Sequence, residues 1–258
     1  MSTVEIRQFL CRTDNFGVLL HNGASGDTIA IDAPEAAPIR AALDAEGWSL
    51  THILTTHHHA DHVAGNAELK AHYGATIIGP QAEADRIPGI DRRVTGGDSF
   101  SIGDIEIVVI DTPGHTLGSV SYHMPGLECL FAGDALFSLG CGRLLEGTAG
   151  MLWTSLQRLR SLPDDTMLYC GHEYTASNAR FALSVDPRNL MLHERTTAVE
   201  RQRVAGEPTL PVSLGLEKRT NPFLRADDAD LAVELGMGGG RATAEEVFAE
   251  LRSRKDRF

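Results

Sequence analysis

The sequence has no long hydrophobic run, and this absence excludes a membrane-spanning protein. No stretch approaches the roughly 18 uninterrupted apolar residues of a transmembrane helix. The opening segment MSTVEIRQFLCRTDNFG carries charges where a secretory signal would have its apolar centre. We therefore expect a soluble protein that is not exported and has no membrane partner.

Cysteines are few, and they are placed too far apart to form an obvious framework of disulfides. The sequence has neither a C-x-x-C pair nor the cysteine density of a small disulfide-bonded domain. The four cysteines are Cys11, Cys129, Cys141 and Cys170. We expect reduced thiols, and hence a cytoplasmic protein.

Basic residues are in the minority. The chain has 23 Lys and Arg against 35 Asp and Glu, which gives a formal net charge of -12 at pH 7. Wrapping nucleic acid or lying on an anionic membrane requires a basic face, so we expect neither partner. We expect a monomer, although no feature of the sequence sets the oligomeric state.

The hydrophobic pattern predicts two regions in the 258 residues. Residues 1–172 contain many short β-branched runs, with helical periodicity between them, as in the face formed by Leu152, Leu156 and Leu159. This pattern indicates an α/β fold with at least one sheet, two being favoured, and helices on the outer faces. Residues 173–258 are predicted to be helical, with no strand.

The segment THHHADHVAG crowds four histidines and an aspartate directly after an apolar strand. His57, His59 and Asp61 alternate at a spacing of two, which indicates extended or loop backbone, with a helix beginning after His62. Packing several imidazoles side by side without a metal would leave polar groups hard to satisfy. Because one catalytic ion takes about three protein ligands, the four candidates suggest two ions.

Three later strands end in a glycine that is followed by a possible ligand. His115, Asp134 and His172 follow these glycines, at which the backbone can turn sharply. Taken alone, His115 is also compatible with a simple turn and Asp134 with a helix cap. Their recurrence favours a metal site in which Asp134 is available to bridge. The predicted ligands are His57, His59, Asp61, His62, His115, Asp134 and His172.

In this order, the motifs T-H-x-H-x-D-H, G-H, G-D and G-H resemble the metallo-β-lactamase superfamily. Within it, CGRLLEGT, CGHEYT, NPFLR and the terminal LRSRKDRF are similar to the glyoxalase II, or hydroxyacylglutathione hydrolase, family. The resemblance implies an αββα metallo-β-lactamase-type sandwich over residues 1–172 and a helical substrate-binding domain over residues 173–258. It assigns one metal to His57, His59, His115 and Asp134. It assigns the other to Asp61, His62, His172 and the same Asp134.

The family resemblance implies hydrolysis of S-(R)-lactoylglutathione to glutathione and D-lactate, the second step of methylglyoxal detoxification. Two divalent ions lower the pKa of a bound water from about 15.7 towards ~7, which makes hydroxide available to attack a thioester carbonyl. The predicted catalytic residues are Asp61, which by resemblance orients the hydroxide, and Asp134. Zinc is expected, but mixed imidazole and carboxylate sites also accept iron or manganese.

The family's glutathione contacts correspond to Arg143, Tyr174, Arg252 and Lys255. Without the resemblance, the cations of the last helix are equally explained by the helix dipole and solvent. Leu145 departs from the pattern, because relatives commonly carry an aromatic residue there that contacts the peptide portion of the substrate. Separately, Asp32 is compatible both with an orienting partner of a metal ligand and with a turn residue.

Other functions within or beyond the superfamily have weaker support. A mononuclear-iron persulfide dioxygenase shares much of the motif, but all seven ligands and the long C-terminal segment disfavour it. A β-lactamase commonly has cysteine in place of Asp134, and a nuclease would need a basic surface. A binding module without catalysis is a further alternative.

Overall fold

The computed structural model describes residues 4–240 and 242–258. These residues form two compact units, which interleave along the chain. The first unit comprises residues 4–111 and 117–133, and the second comprises residues 112–116 and 134–258. This division differs from the domain boundary predicted at residue 172, which stays a prediction.

The first sheet of the first unit has the strand order β1-β2-β3-β4-β5-β6. Its first three strands are antiparallel neighbours, whereas β3, β4, β5 and β6 run parallel. The strands are β1 Val4–Cys11, β2 Asn15–Asn22, β3 Thr28–Ile31, β4 His52–Leu54, β5 Thr76–Pro80 and β6 Arg92–Val94. The connecting helices are α1 Ala36–Glu46, α2 Ala60–Val63 and α3 Asn66–Tyr73, with a 3₁₀ helix at Gln81–Arg86.

Both faces of this sheet are buried, as expected for parallel strands whose crossovers are helices. On one face, Ile53 and Ile77 pack in a core cluster with Ile39 of α1 and Leu69 of α3. Residues of the opposite pleat, such as Leu54, are buried as well. Successive side chains of each strand point to opposite faces, so the sheet has an apolar layer on each face. Helices cover one of these two layers.

The first unit also contains a second sheet. Its strands pair antiparallel in the order β10-β9-β8-β7. They are β7 Ser99–Ile102, β8 Ile105–Asp111, β9 Val120–Met124 and β10 Cys129–Phe131, with a 3₁₀ helix at Pro125–Leu127. The buried Tyr122 donates its hydroxyl to the carbonyl of Thr55, 2.8 Å away, directly after β4. This hydrogen bond ties the second sheet to the segment that leads into the histidine motif.

The second unit is mainly helical. Its strands form two short antiparallel ladders, β11 Leu136–Phe137 with β12 Gly140–Cys141, and β13 Met167–Tyr169 with β14 Val212–Ser213. Its helices are α4 Ala149–Arg160, α5 Thr175–Val185, α6 Leu190–Val204, α7 Leu214–Thr220, α8 Ala229–Glu234 and α9 Ala244–Arg257, with a 3₁₀ helix at Pro222–Leu224. None of the described helices is long and apolar enough to cross a bilayer.

Helix α4 presents the apolar face that the sequence predicts. Leu152, Leu156 and Leu159 are all fully buried. Trp153 of the same helix packs on Phe248 of α9, with 5.9 Å between the ring centroids. Thr243 begins α9 with a capping box, in which its side chain and that of Glu246 satisfy each other's backbone N–H groups. The C-terminal helix is therefore fixed at its start and along its buried face.

Two local predictions were wrong. Helix α2 begins at Ala60, so Asp61 and His62 are helical rather than preceding a helix. A four-residue helix is too short for a periodic pattern to reveal, and Asp61 suits its first turn because of the helix dipole. Strand β14 lies in the region that was predicted to have no strand. Its two residues pair with β13, a non-local contact that no local pattern encodes.

Gly133 is expected to tolerate no side chain. Its φ is +50°, and an added Cβ would lie 2.5 Å from the Oγ1 of Thr56. Gly133→Ala should therefore lower the free energy of unfolding by about 2–4 kcal/mol through left-handed strain and overlap. Urea denaturation measures the change. Gly126→Ala is the control, because its Cβ would meet nothing within 4 Å; equal losses in both variants would contradict the prediction.

Candidate metal centre

The histidine motif follows strand β4 and occupies a loop and helix α2 of the first unit. His57 and His62 are buried, and their ring centroids lie 4.1 Å apart. The Nε2 of His57 lies 3.1 Å from the Nδ1 of His59. The Nε2 of His62 lies 3.8 Å from a carboxylate oxygen of Asp61. The motif therefore gathers four predicted ligands into one cluster, in which His57 lies close to both His59 and His62.

Asp32, at the end of β3, holds this motif in place. Its carboxylate accepts the backbone N–H of Thr56 at 2.7 Å and the hydroxyl of Thr56 at 2.8 Å. It also lies 2.8 Å from the Nδ1 of His62. A carboxylate on Nδ1 keeps the proton there, so Nε2 has the lone pair that a metal needs. Of the two roles compatible with its sequence, Asp32 has that of an orienting partner, and its φ of +56° also marks a sharp backbone turn.

Two further side chains hold the motif, and sequence reasoning missed both. The buried carboxylate of Glu83 accepts the backbone N–H of His58 at 2.8 Å and lies 2.6 Å from its Nδ1. His58 is thus held by Glu83, and its ring lies edge-on to that of His59, with 4.8 Å between the centroids. Asn15 of β2 donates to the carbonyl and to the carboxylate of Asp61, both at 3.1 Å. Each contact is long-range, with no local signal in the sequence.

The second unit brings its three predicted ligands together. Asp134 is buried between two imidazoles, the Nε2 atoms of His115 and His172 each lying 3.5 Å from its Oδ2. The Nδ1 of His115 lies 2.8 Å from the carbonyl of Arg143, which keeps the proton on that nitrogen. His172 is stacked on Tyr174, with 4.7 Å between the ring centroids. The carboxylate of Asp134 therefore lies close to both imidazoles.

A cavity of about 650 Å³ opens on this cluster within the second unit. Its lining combines two predicted ligands with all four predicted substrate contacts. The lining residues are His115, Asp134, Phe137, Cys141, Arg143, Tyr174, Ser177, Asn178, Arg180, Arg252, Lys255 and Phe258. Arg180 is a fourth cation that sequence reasoning missed. Leu145, the residue that departs from the family pattern, is exposed and does not line the cavity.

The two cations from helix α9 differ in their surroundings. Arg252 is buried, donates to the carbonyl of Cys141 at 3.0 Å and is paired with Asp256 at 3.0 Å. Lys255 is half-buried, with its Nζ 5.1 Å from the ring centroid of Phe181 and 3.4 Å from the carbonyl of Ser177. Arg252 therefore already has protein partners, whereas the ammonium of Lys255 lies in the cavity over an aromatic face.

Burial lowers the pKa of Lys255 to about 8, and the neighbouring positive charges of Arg252, Arg180 and Arg143 act in the same direction. Burial raises the pKa of the Cys141 thiol in the same cavity to about 11. Between pH 7 and pH 9, therefore, Lys255 changes charge while Cys141 stays a neutral thiol.

The donors in each unit fit divalent metal ions. Both units combine imidazole nitrogens with carboxylate oxygens, a donor set that zinc, iron and manganese accept. In both, an oxygen acceptor on a histidine Nδ1 fixes the ring and directs Nε2 to the cluster, as is common for metal-binding histidines. The chemistry of the donors therefore supports a metal centre without selecting the metal.

Comparison with known proteins identifies the class of protein to which the chain belongs. Residues 23–172 match the family model described as the metallo-beta-lactamase superfamily, and residues 173–258 match that of the hydroxyacylglutathione hydrolase C-terminus. The crystal structure of ETHE1 from Myxococcus xanthus is similar, with a TM-score of 0.67, 26% identity, and coverage of 97% of this chain and 98% of that one. The chain is a metal-binding hydrolase with the metallo-β-lactamase fold, which confirms the predicted fold class.

Full-length relatives narrow the class to one family. A hydroxyacylglutathione hydrolase of Rhizobium meliloti (strain 1021) is 58% identical over 258 residues, covering 100% of both chains. Another, of Brucella anthropi, is 56% identical over 255 residues, covering 99% of this chain and 97% of that one. The chain belongs to the hydroxyacylglutathione hydrolase, or glyoxalase II, family, as its motifs predicted. The roles of individual ligands and substrate contacts stay predictions.

Replacing Asp32 is expected to loosen the metal ligands of the first unit. Asp32→Ala removes the acceptor on His62 Nδ1, and losing such a partner typically lowers metal affinity about 10–100-fold. Competition with a chromophoric chelator measures the affinity for zinc. Asp85→Ala is the control, since that side chain is almost fully exposed. Unchanged zinc affinity in a folded Asp32→Ala protein would contradict the orienting role.

Proposed function

We propose that the chain hydrolyses S-(R)-lactoylglutathione and related glutathione thioesters to glutathione and the free acid, D-lactate for the first substrate. This reaction is the second step of methylglyoxal detoxification. One observation carries the proposal: a single cavity of the second unit joins two predicted metal ligands to four cationic side chains. Glutathione conjugates are anionic, so a cationic recess beside a Lewis-acid site suits them.

Seven residues are proposed to hold two divalent ions, most simply zinc. One ion is assigned to His57, His59, His115 and Asp134, and the other to Asp61, His62, His172 and the same Asp134. The contacts within each unit support the proximity of these donors, because His57 lies against His59, Asp61 against His62, and Asp134 against both His115 and His172. Bound divalent ions supply the positive charge that makes hydroxide available near neutral pH and stabilises a developing oxyanion.

The two aspartates are the proposed catalytic residues. Asp61 orients the attacking hydroxide as well as acting as a ligand, and the amide of Asn15 fixes its carboxylate for that task. Asp134 is the shared ligand, held between His115 and His172. The leaving group is a thiolate, which is already a stable anion. The site therefore needs no strong general acid, in contrast to one that expels an amine.

The cations of the cavity are proposed to bind the peptide portion of the substrate. Arg143 and Lys255 provide charge for its carboxylates, and Tyr174 provides an aromatic face. Arg252 contributes positive charge from a fixed position, because its guanidinium already binds the carbonyl of Cys141 and Asp256. Residues 173–258 contribute most of these contacts, which supports their prediction as a substrate-binding domain.

The alternative of a mononuclear-iron persulfide dioxygenase is not favoured. Full-length relatives at 54–58% identity are hydroxyacylglutathione hydrolases, whereas the ETHE1 structure is more distant at 26%. We also propose a cytoplasmic monomer that binds neither nucleic acid nor membranes. The net charge of -12 supports the absence of a nucleic-acid partner. The four buried free cysteines support a reducing compartment.

His59→Ala is expected to abolish thioester hydrolysis and to lower the metal content, because it removes a proposed ligand. Elemental analysis of the purified protein, coupled to a spectrophotometric assay with lactoylglutathione, measures both effects. His72→Ala is the matched control, since His72 is exposed on helix α3. Normal turnover in the His59→Ala variant would show that the ligand assignment is wrong. Oxygen consumption with glutathione persulfide, without thioester cleavage by the wild type, would establish the dioxygenase instead.

Substrate capture is expected to weaken as the pH rises through the pKa of Lys255, which is about 8. Below this pH the ammonium is charged and attracts a carboxylate, and above it the amine is neutral. The Michaelis constant should therefore rise about fivefold between pH 7 and pH 9.5, equivalent to roughly 1 kcal/mol, with little change in kcat.

Lys255→Arg is the control for this pH dependence. A guanidinium stays charged throughout the range, so the variant should show a flatter profile. Titration of the substrate's own amino group affects both proteins equally and cancels in the comparison. Parallel profiles for wild type and variant would contradict the role of Lys255.

A further inference from the structure

The β11–β12 hairpin links two of the proposed metal ligands. It begins two residues after Asp134 and ends two residues before Arg143, whose carbonyl accepts the Nδ1–H of His115. The return is tight: a Cβ added to Gly142 would lie 2.0 Å from the carbonyl oxygen of Asp134. A shift of the hairpin would therefore move the backbone of Asp134 and the carbonyl that holds the ring of His115.

The backbone conformation of this hairpin's turn is unfavourable for the residue that occupies it. Leu139 has a φ of +57°, in the left-handed region, where a leucine side chain is sterically disfavoured. Neither a glycine nor an asparagine is present at this position to relieve the strain. Contacts from elsewhere in the second unit must hold the turn in this conformation.

A buried polar network provides these contacts. The carboxylate of Glu217, in helix α7, is fully buried and accepts the backbone N–H of Leu139 at 2.9 Å. The same carboxylate is paired with Arg195 of helix α6, which also donates to the hydroxyl of Ser138 at 2.9 Å. The charge of Glu217 is thus compensated by a buried guanidinium, and both partners reach the turn.

Asn221 completes the network. Its amide nitrogen lies 3.1 Å from the carbonyl of Phe137 and 3.0 Å from that of Gly140, the two residues that flank the turn. It also lies 3.0 Å from the carboxylate of Glu217. Asn221 begins the NPFLR motif, which the proposed chemistry does not otherwise use.

A buried ion pair is weak evidence for stability, because apolar residues of similar volume often stabilise a fold equally well. What apolar residues could not provide here is an acceptor for the N–H of Leu139 and donors for the hairpin carbonyls. We propose that Arg195, Glu217 and Asn221 are positioning residues, which hold the β11–β12 turn so that Asp134 and His115 keep the orientation for binding metal. This inference rests on the proposed function for the assignment of those two ligands.

The first test compares two double variants that differ only in the acceptor offered to Leu139. Arg195→Met with Glu217→Leu removes the charges and the acceptor. Arg195→Met with Glu217→Gln removes the charges but keeps a carbonyl oxygen. We expect the first to bind zinc about 10–100-fold more weakly than wild type in chelator competition. The second should lie within about threefold of wild type.

Two further variants separate positioning from folding. Arg225→Met with Asp186→Leu removes another ion pair of the second unit, one that makes no hydrogen bond to the hairpin among the described residues, and should leave zinc affinity unchanged. Asn221→Ser removes the donor to Phe137 and Gly140, and should lower zinc affinity about tenfold even if the variant that carries Glu217→Leu fails to fold. Urea denaturation of each protein checks that a folded state is being compared.

Three results would overturn the inference. The first is wild-type zinc affinity in the folded Arg195→Met, Glu217→Leu protein. The second is an equal loss of zinc affinity in the two double variants at Arg195 and Glu217. The third is wild-type zinc affinity in Asn221→Ser. A wild-type protein that binds zinc without cleaving lactoylglutathione would contradict the proposed function alone. The zinc affinities of the variants would still decide whether the network positions the ligands.

Discussion

The carboxylate of Asp32 is the interaction on which the histidine motif depends. It receives two hydrogen bonds from Thr56 and one from His62, so it joins the start of the motif to its last ligand. A buried carboxylate is stable only where fixed donors replace its hydration. The carboxylate of Asp32 and its donors on Thr56 and His62 therefore fix one another. The protein itself orients the imidazole of His62. A metal ion would then bind with little reorganisation of these side chains, as the proposed dinuclear centre requires.

In the second unit, a different buried carboxylate helps to orient the candidate metal ligands. Glu217 is as deeply buried as Asp32, but it fixes the backbone of a hairpin rather than a ligand ring. Its charge is balanced by Arg195 instead of by backbone and hydroxyl donors alone. In both units the helices and strands provide scaffolding, whereas buried polar contacts set the final angles of the ligands. This division explains why strained backbone at Asp32 and Leu139 accompanies the two clusters.

Sequence patterns pointed to the candidate ligands because the groups that contain them follow apolar strands or glycines, a local signal that needs no knowledge of the fold. They predicted the helices wherever a helix was long enough to show a period, as in α4, but not the four residues of α2. The supporting residues carry no such signal. Glu217 is 78 positions from Leu139, and Glu83 is 25 positions from His58. Because these partners are distant in the sequence, the pattern around each glutamate is that of an ordinary charged residue. Only the folded chain reveals that these charges are buried.

The charge distribution reconciles an acidic protein with the anionic substrate that we propose. Surface charges are screened beyond about 8 Å at physiological ionic strength, so the net charge of -12 has little effect inside a recess. The cavity is lined by Arg143, Arg180, Arg252 and Lys255, against the single carboxylate of Asp134 among its lining residues. The three arginines also lower the pKa of Lys255, which means that the cations of the cavity repel one another. Under the proposed function, a substrate carboxylate would relieve this repulsion on binding and would therefore gain affinity from the arrangement of the cations as well as from its individual contacts.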